Sequence, residues 1–206
     1  MSIKEIFITC CFTILVFFST PTLKAQDKID FDITLAGFTI GEMKANKVIK
    51  GDSTIYLLES KVSFWLFGTI NVDYYTEVKY HKGVFISSIV SSQTNRGDFI
   101  SKIWLEGDQY KIDANGYKYE NSGTINEPIY HSAVRLFFEE PAGVEVMIAE
   151  NLGKFSEIRA HGDGIYTTHI EGDQNKYYYQ DGKMLKVSMH NPIKNYEVRR
   201  RDLQSK

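Results

Sequence analysis

The side chains of this chain that could do chemistry are few, and their spacing suits turns better than sites. Five histidines, His81, His131, His161, His169 and His190, are the first candidates for metal ligands. His161-x-Asp163 and His169-x-Glu171 have the i, i+2 spacing that sets both side chains on one face of a strand. A zinc or iron site needs further ligands and groups that orient them. The sequence identifies none and has no H-E-x-x-H, so these pairs read as polar positions beside hairpin turns, and neither a metal nor a cofactor is expected. No G-x-S-x-G occurs, which removes the signature of a serine nucleophile on a strand–turn–helix elbow. Glu139-Glu140 is the most obvious carboxylate doublet. It falls at the end of a predicted helix, where the dipole disfavours anions, and reads as a frayed, solvated end. Arg96-Gly97-Asp98 matches an adhesion tripeptide, but Gly-Asp is ordinary turn chemistry. Arg199-Arg200-Arg201 reads as a solvated tail, although three cations could touch anionic lipid or glycan. With no catalytic motif, the expectation is a protein that is not an enzyme.

Aromatic residues stand out instead. Phe64-Trp65-Leu66-Phe67 places four bulky apolar residues just before Gly68, at an expected hairpin turn where polar residues are the rule. Tyr177-Tyr178-Tyr179 puts tyrosines on both faces of a strand. A concave sheet lined by such rings could hold a lipid tail or stack on a sugar. The candidate binding residues on this reading are Trp65, Phe67, Trp104, Phe137 and Tyr178. The competing reading makes the same rings core and cross-strand pairs.

The elements that must position these residues are almost all strands. From Ile29 on, segments of about 6 to 12 residues with period-2 alternation are separated by Gly, Asp and Asn turns. Ile70 to His81 is the cleanest: Ile70, Val72, Tyr74, Thr76, Val78 and Tyr80 share one face, with polar residues on the other. Further strands are predicted over 29–35, 38–50, 54–64, 84–94, 99–106, 143–149, 155–160, 165–170, 176–180, 185–190 and 196–199. Gly107-Asp108 and Asn115-Gly116 bracket another. The exception is Ile125 to Pro141, where Tyr130, Ala133, Val134 and Phe137 fall at i, i+3, i+4 and i+7 of one helical face. Ser132 is placed to cap this helix and Pro141 to stop it. Strands this short and regular predict a mostly β fold, a single antiparallel meander forming a curved sheet or incomplete barrel. One short helix is predicted to pack on its concave face.

The chain has 206 residues and a formal charge of −2, which gives no global field to attract nucleic acid. Lys4 followed by the apolar run Ile6 to Phe18 and by Leu23-Lys24-Ala25 reads as a signal peptide over 1–25, cleaved before Gln26. The run is about 13 residues, short of the roughly 20 that span a bilayer, so no transmembrane span is expected in the mature form. Both cysteines, Cys10 and Cys11, lie inside it, so the mature chain is expected to form no disulfide. Residues 26–206 read as one domain, in the periplasm or outside the cell.

Several segments resemble a known family. Phe31-Asp32-Ile33-x-Leu35-x-Gly37-x-x-Ile40-Gly41-x-Met43 is similar to the opening of an uncharacterised secreted bacterial family, domain of unknown function 6134. Pro128-Ile129-Tyr130 with Leu136-Phe137-Phe138-Glu139-Glu140-Pro141 looks like its centre. Asn151-Leu152-Gly153-Lys154-Phe155 and Asn175-Lys176-Tyr177-Tyr178-Tyr179 look like its later segments. The resemblance implies export in Gram-negative bacteria and a β-rich fold, with a distant kinship in shape to outer-membrane lipoprotein carriers. It brings no catalytic residues.

Two functions follow as expectations. The first is a non-enzymatic envelope protein that binds an apolar or amphipathic, lipid-like ligand on the concave sheet. The second is a structural or interaction module that meets another envelope protein through its sheet edges or loops.

Overall fold

The computed structural model describes residues 26–65, 68–95, 97–116, 119–190 and 195–203. The proposed signal segment 1–25, Phe67 and Arg96 lie outside the described residues. The first eight strands are β1 (Gln26–Leu35), β2 (Phe38–Lys50), β3 (Ser53–Trp65), β4 (Thr69–His81), β5 (Val84–Thr94), β6 (Phe99–Glu106), β7 (Gln109–Gly116) and β8 (Tyr119–Ile125). After a 3-10 turn over Ala133–Phe137 come β9 (Val146–Ala149), β10 (Lys154–Ala160), β11 (Ile165–Ile170), β12 (Asp173–Gln180), β13 (Lys183–Met189) and β14 (Tyr196–Arg200). Predicted and observed strands agree closely, because alternation and turn residues are local signals. The strand missed by pattern is β8, whose polar sequence YENSGTI is mostly exposed at a sheet edge.

All fourteen strands form one antiparallel sheet, in the order β8-β7-β6-β5-β4-β3-β2-β1-β14-β13-β12-β11-β10-β9. It is therefore two meanders joined where β14 pairs with β1, Phe31 opposite Arg200 and Leu35 opposite Tyr196. Register shifts between Ile33/Thr34, Lys79/Tyr80 and Tyr178/Tyr179 mark bulges, which increase local bend and twist and help to roll the sheet.

The ladder does not close. Instead the chain leaves edge strand β8, crosses the inner face and returns to edge strand β9. On its way Ile129 O accepts from Phe85 N (2.9 Å) and His131 O from Ile148 N (2.9 Å). Phe137 meets Phe31 edge-on at 5.8 Å between ring centroids. The β9–β10 turn then reaches the far edge through side chains: Ser101 Oγ donates to Glu150 O (2.7 Å), and Tyr119 Oη (2.6 Å) and Asn121 Nδ2 (2.9 Å) donate to Leu152 O. Gly153 in this turn has φ +62°, and a Cβ there would lie 2.4 Å from Ile112 Cγ2 on β7. Only glycine fits this closure.

The inner face is filled. Phe31, Val78, Phe85, Val90, Ile103, Ile148, Met184 and Val187 are wholly inaccessible, and Ile129, Val134, Leu136 and Phe137 of the crossing segment are buried among them. The segment that was expected to cover an open concave face occupies it.

The helix itself is corrected to a single five-residue 3-10 turn. Its buried positions are Val134, Leu136 and Phe137, while Tyr130 is exposed. At three residues per turn, Ala133 stacks under Leu136 and Val134 under Phe137, so the 3.6-residue face does not form. Ser132 is extended and makes no side-chain cap bond to the turn.

Candidate functional site

The place of the cap is taken by Glu150, from the end of β9. Its carboxylate accepts from the amides of Val134 (2.9 Å, Oε1) and Ala133 (3.1 Å, Oε2), donors that the start of the turn leaves unpaired. The Ser132 hydroxyl also bonds this carboxylate, and Ser132 Oγ accepts from Tyr80 Oη at 2.8 Å. Glu150 is 3% exposed. Burial pushes its carboxyl above the usual range, against the downward pull of those hydrogen bonds.

A second layer of polar contacts holds the rest of the crossing segment. Arg135 Nε donates to Glu139 Oε1 at 2.7 Å, its guanidinium also donates to Tyr130 O, and it lies 5.3 Å from the centroid of the Tyr80 ring. Tyr56 Oη donates to Glu139 Oε1 (3.2 Å) and Tyr166 Oη to Glu140 Oε1 (2.8 Å). Tyr179 Oη donates to Leu136 O at 2.7 Å. Burial alone would raise the Glu139 carboxyl, but the Arg135 hydrogen bond and charge, with Lys47 and Tyr56, hold it below the ordinary range. Burial and the Arg135 charge lower His131, only partly opposed by Glu139. The doublet expected at a frayed, solvated end is thus tied to the sheet by tyrosines from β3 and β11.

Between these groups and strands β9 and β10 lies a cavity of about 220 Å³. His131, Ser132, Arg135, Glu139 and Glu140 supply its polar lining, and Leu136, Pro141, Val144, Met147 and Ile158 its apolar lining. The lining thus mixes charged and hydrogen-bonding groups with apolar carbon, a composition that an amphipathic molecule could match. The volume is below that of pockets for drug-sized ligands, about 300 to 1,000 Å³, so there is room only for a small molecule or one end of a longer one. A shallower hollow of about 380 Å³ lies on the outer face of β2 to β5, lined by Glu42, Lys44, Glu59, Lys61 and Asp73. Lys44 stands opposite Glu59, and Lys61 stands between Glu42 and Asp73 in register, so these charges largely compensate one another.

With this geometry in view, comparison with known proteins gives a family. The sequence profile described as "Domain of unknown function (DUF6134)" matches residues 31–201. The chain belongs to the DUF6134 family. Among solved structures it is similar to a beta-barrel-like protein of domain of unknown function DUF1849 from Brucella abortus. The match has 11% identity and a TM-score of 0.50, and covers 86% of this chain and 95% of that one. At that identity the likeness is one of fold. No curated protein matches the chain.

The residues proposed from sequence are scattered over this DUF6134 protein. Phe137 is in the core, 5% exposed. Trp104 points outward from β6, opposite Ser87 and Lys111, and Trp65 is 75% exposed at the end of β3. Tyr178 lies on the outer face of β12 between the ammonium groups of Lys176 (5.3 Å) and Lys186 (4.8 Å). The described members of the set do not converge on one concave surface. Nor do the histidines: His161 Nε2 pairs with Thr167 Oγ1 (2.8 Å) and His190 Nδ1 with Asp173 Oδ1 (2.7 Å), and no metal-holding cluster occurs among the described residues. The arginine run is not a solvated tail. Arg199 pairs with Glu197, Arg200 with Asp202, and Arg201 with Asp32 (2.7 Å) and Glu42 (3.2 Å).

Sequence reasoning found Glu139 and Glu140 as a doublet and His131 as a candidate, but missed Glu150 and Arg135. Their signal exists: an isolated glutamate closing the strand-like run Val146-Met147-Ile148-Ala149 has to find partners if the run is buried.

Proposed function

We propose that this protein is an exported envelope component that acts by binding, without catalysis, and that it takes a small amphipathic molecule in the cavity beside the 3-10 turn. The observation that carries this reading is the mixed lining of that cavity, charged and apolar together, on walls already held by Glu150, Glu139 and Glu140. Preorganised walls favour binding because little order has to be created when the guest arrives. Export is supported by the signal-like sequence of residues 1–25. A binding role without chemistry is supported by the hydrogen bonds and ion pairs that already engage Arg135, Glu139 and Glu140. The filled inner face moves the proposed site from the concave sheet to the seam where the crossing segment meets β9 and β10. No helix among the described residues is long and apolar enough to cross a membrane.

Native mass spectrometry of the protein recovered from its host envelope tests the reading. Wild type is expected to carry a small adduct, and Ala142→Trp, an exposed cavity position, is expected to lose it while keeping the fold. An adduct equally present in both proteins, or absent from wild type after incubation with envelope extract, would sink it. Release of a chemically altered adduct would replace binding with catalysis.

A further inference from the structure

The opposite end of the rolled sheet carries a different kind of surface. There the β1–β2 and β3–β4 hairpins lie side by side, since β2 pairs with β3 as far as Gly41 opposite Val62. Phe38 at the first tip is 76% exposed and Trp65 at the second 75%. The sequence has no charged residue between Asp32 and Glu42, nor between Lys61 and Asp73. Behind the tips, Leu35, Val62, Phe64 and Val72 are only half-buried, so apolar surface continues from the tips toward the mouth of the sheet. Charge resumes in one cross-strand row, Asp32–Glu42–Lys61–Asp73, with Arg201 clamped to its first two carboxylates. Where β4 leaves this hairpin end, Asn95 Nδ2 donates to Thr69 O (2.8 Å) and Asn95 Oδ1 accepts from Asn71 N (3.3 Å).

A charge-free tip extending three or four residues beyond a charged row is roughly 10 Å tall at strand rise. That matches the roughly 5 to 10 Å to which interfacial elements enter the boundary between headgroups and acyl chains, where tryptophan is enriched. We propose that Phe38 and Trp65, at the adjacent ends of β2 and β3, dock this protein onto a lipid bilayer by entering its interface, with the charged row lying among the headgroups. Attachment of this kind rests on apolar burial, so it needs no anionic lipid and withstands salt. It rests on other residues than the cavity does and stands independently of it.

The chain has two tryptophans, Trp65 and Trp104, so each can report alone. The exported protein, its N-terminus read by mass, is mixed with phosphatidylcholine vesicles with and without brominated acyl chains. In Trp104→Phe the Trp65 emission is expected to shift to the blue and to be quenched by the brominated lipid. In Trp65→Phe the Trp104 emission stays unchanged. Adding Phe38→Ser to Trp104→Phe is expected to weaken vesicle partitioning by about tenfold, as removal of one inserted aromatic ring implies. A Trp65 signal indifferent to vesicles overturns the proposal, as does quenching of Trp104 in its place. So does binding that appears only with phosphatidylglycerol and vanishes in salt, or a Trp65 shift produced only by added envelope protein.

Discussion

The two ends of the rolled sheet handle polarity in opposite ways. At one end the crossing segment brings Arg135, Glu139 and Glu140 into the structure, with Glu150 reaching it from the end of β9, and each finds a partner: amides, a neighbouring charge or a tyrosine hydroxyl. The hairpins that end there carry polar tips, Lys50-Gly51-Asp52, Lys82-Gly83, Glu106-Gly107-Asp108 and Asp181-Gly182. At the other end two adjacent tips carry no charge and leave Phe38 and Trp65 in the open. Buried polar groups without partners cost free energy, so the first end is ordered by hydrogen bonds. Exposed rings also cost, and a sheet that rolls over a filled interior has no room inside for them. The first arrangement serves the fold; the second makes sense once the tips meet something apolar.

That contrast can be broken in order of expected effect. Phe137→Ala removes the ring that packs on Phe31 and is expected to lower stability by about 3 to 5 kcal/mol in urea unfolding. A loss under about 1 kcal/mol would show that the crossing segment is not part of the core. Glu150→Ala strands two amides at the start of the 3-10 turn and is expected to cost about 2 to 4 kcal/mol by the same measurement. The pH dependence at this end has two opposite signs. The raised Glu150 carboxyl pays for its charge in the fold, so wild-type stability relative to Glu150→Gln falls as pH rises from the ordinary glutamate range through the raised value. The lowered Glu139 carboxyl contributes above the ordinary range, and its advantage over Glu139→Gln is lost as pH falls through the lowered value. Parallel unfolding series from pH 3 to pH 8 would show both trends, and matching slopes would refute the assignment. Arg135→Met, at a half-exposed pair, is expected to cost only about 1 kcal/mol in thermal unfolding while emptying the cavity in native mass spectrometry. Smallest of all, Phe38→Ser and Trp65→Ser are each expected to leave stability within about 0.5 kcal/mol while weakening vesicle binding by about tenfold.

Much of this was legible without coordinates. The Ile70–His81 alternation gives β4 and its inner face, and Lys82-Gly83 and Asp181-Gly182 give two-residue hairpin turns, with φ of 49° and 52° at their first residues. β8 was lost because an edge strand with few buried residues has no reason to alternate. The helix reading failed because Tyr130, Ala133, Val134 and Phe137 have helical spacing but Phe85 and Ile148, distant in the chain, hold the segment extended as far as Ser132. Glu139 was misjudged for a similar reason: Tyr56 and Arg135, which hold it, meet only when β3 faces the crossing segment.

The sequence by itself determined the strands, their turns, the mostly β antiparallel character and the unusual aromatic stretch at Phe64-Trp65, since each is written in side chains close together along the chain. Tertiary structure alone decided that β14 pairs with β1, that the segment between β8 and β9 fills the interior, and that Glu150 rather than Ser132 caps its turn. Those outcomes depend on which distant groups meet once the sheet rolls, and period-2 patterning constrains which face a residue occupies without naming the neighbour across from it.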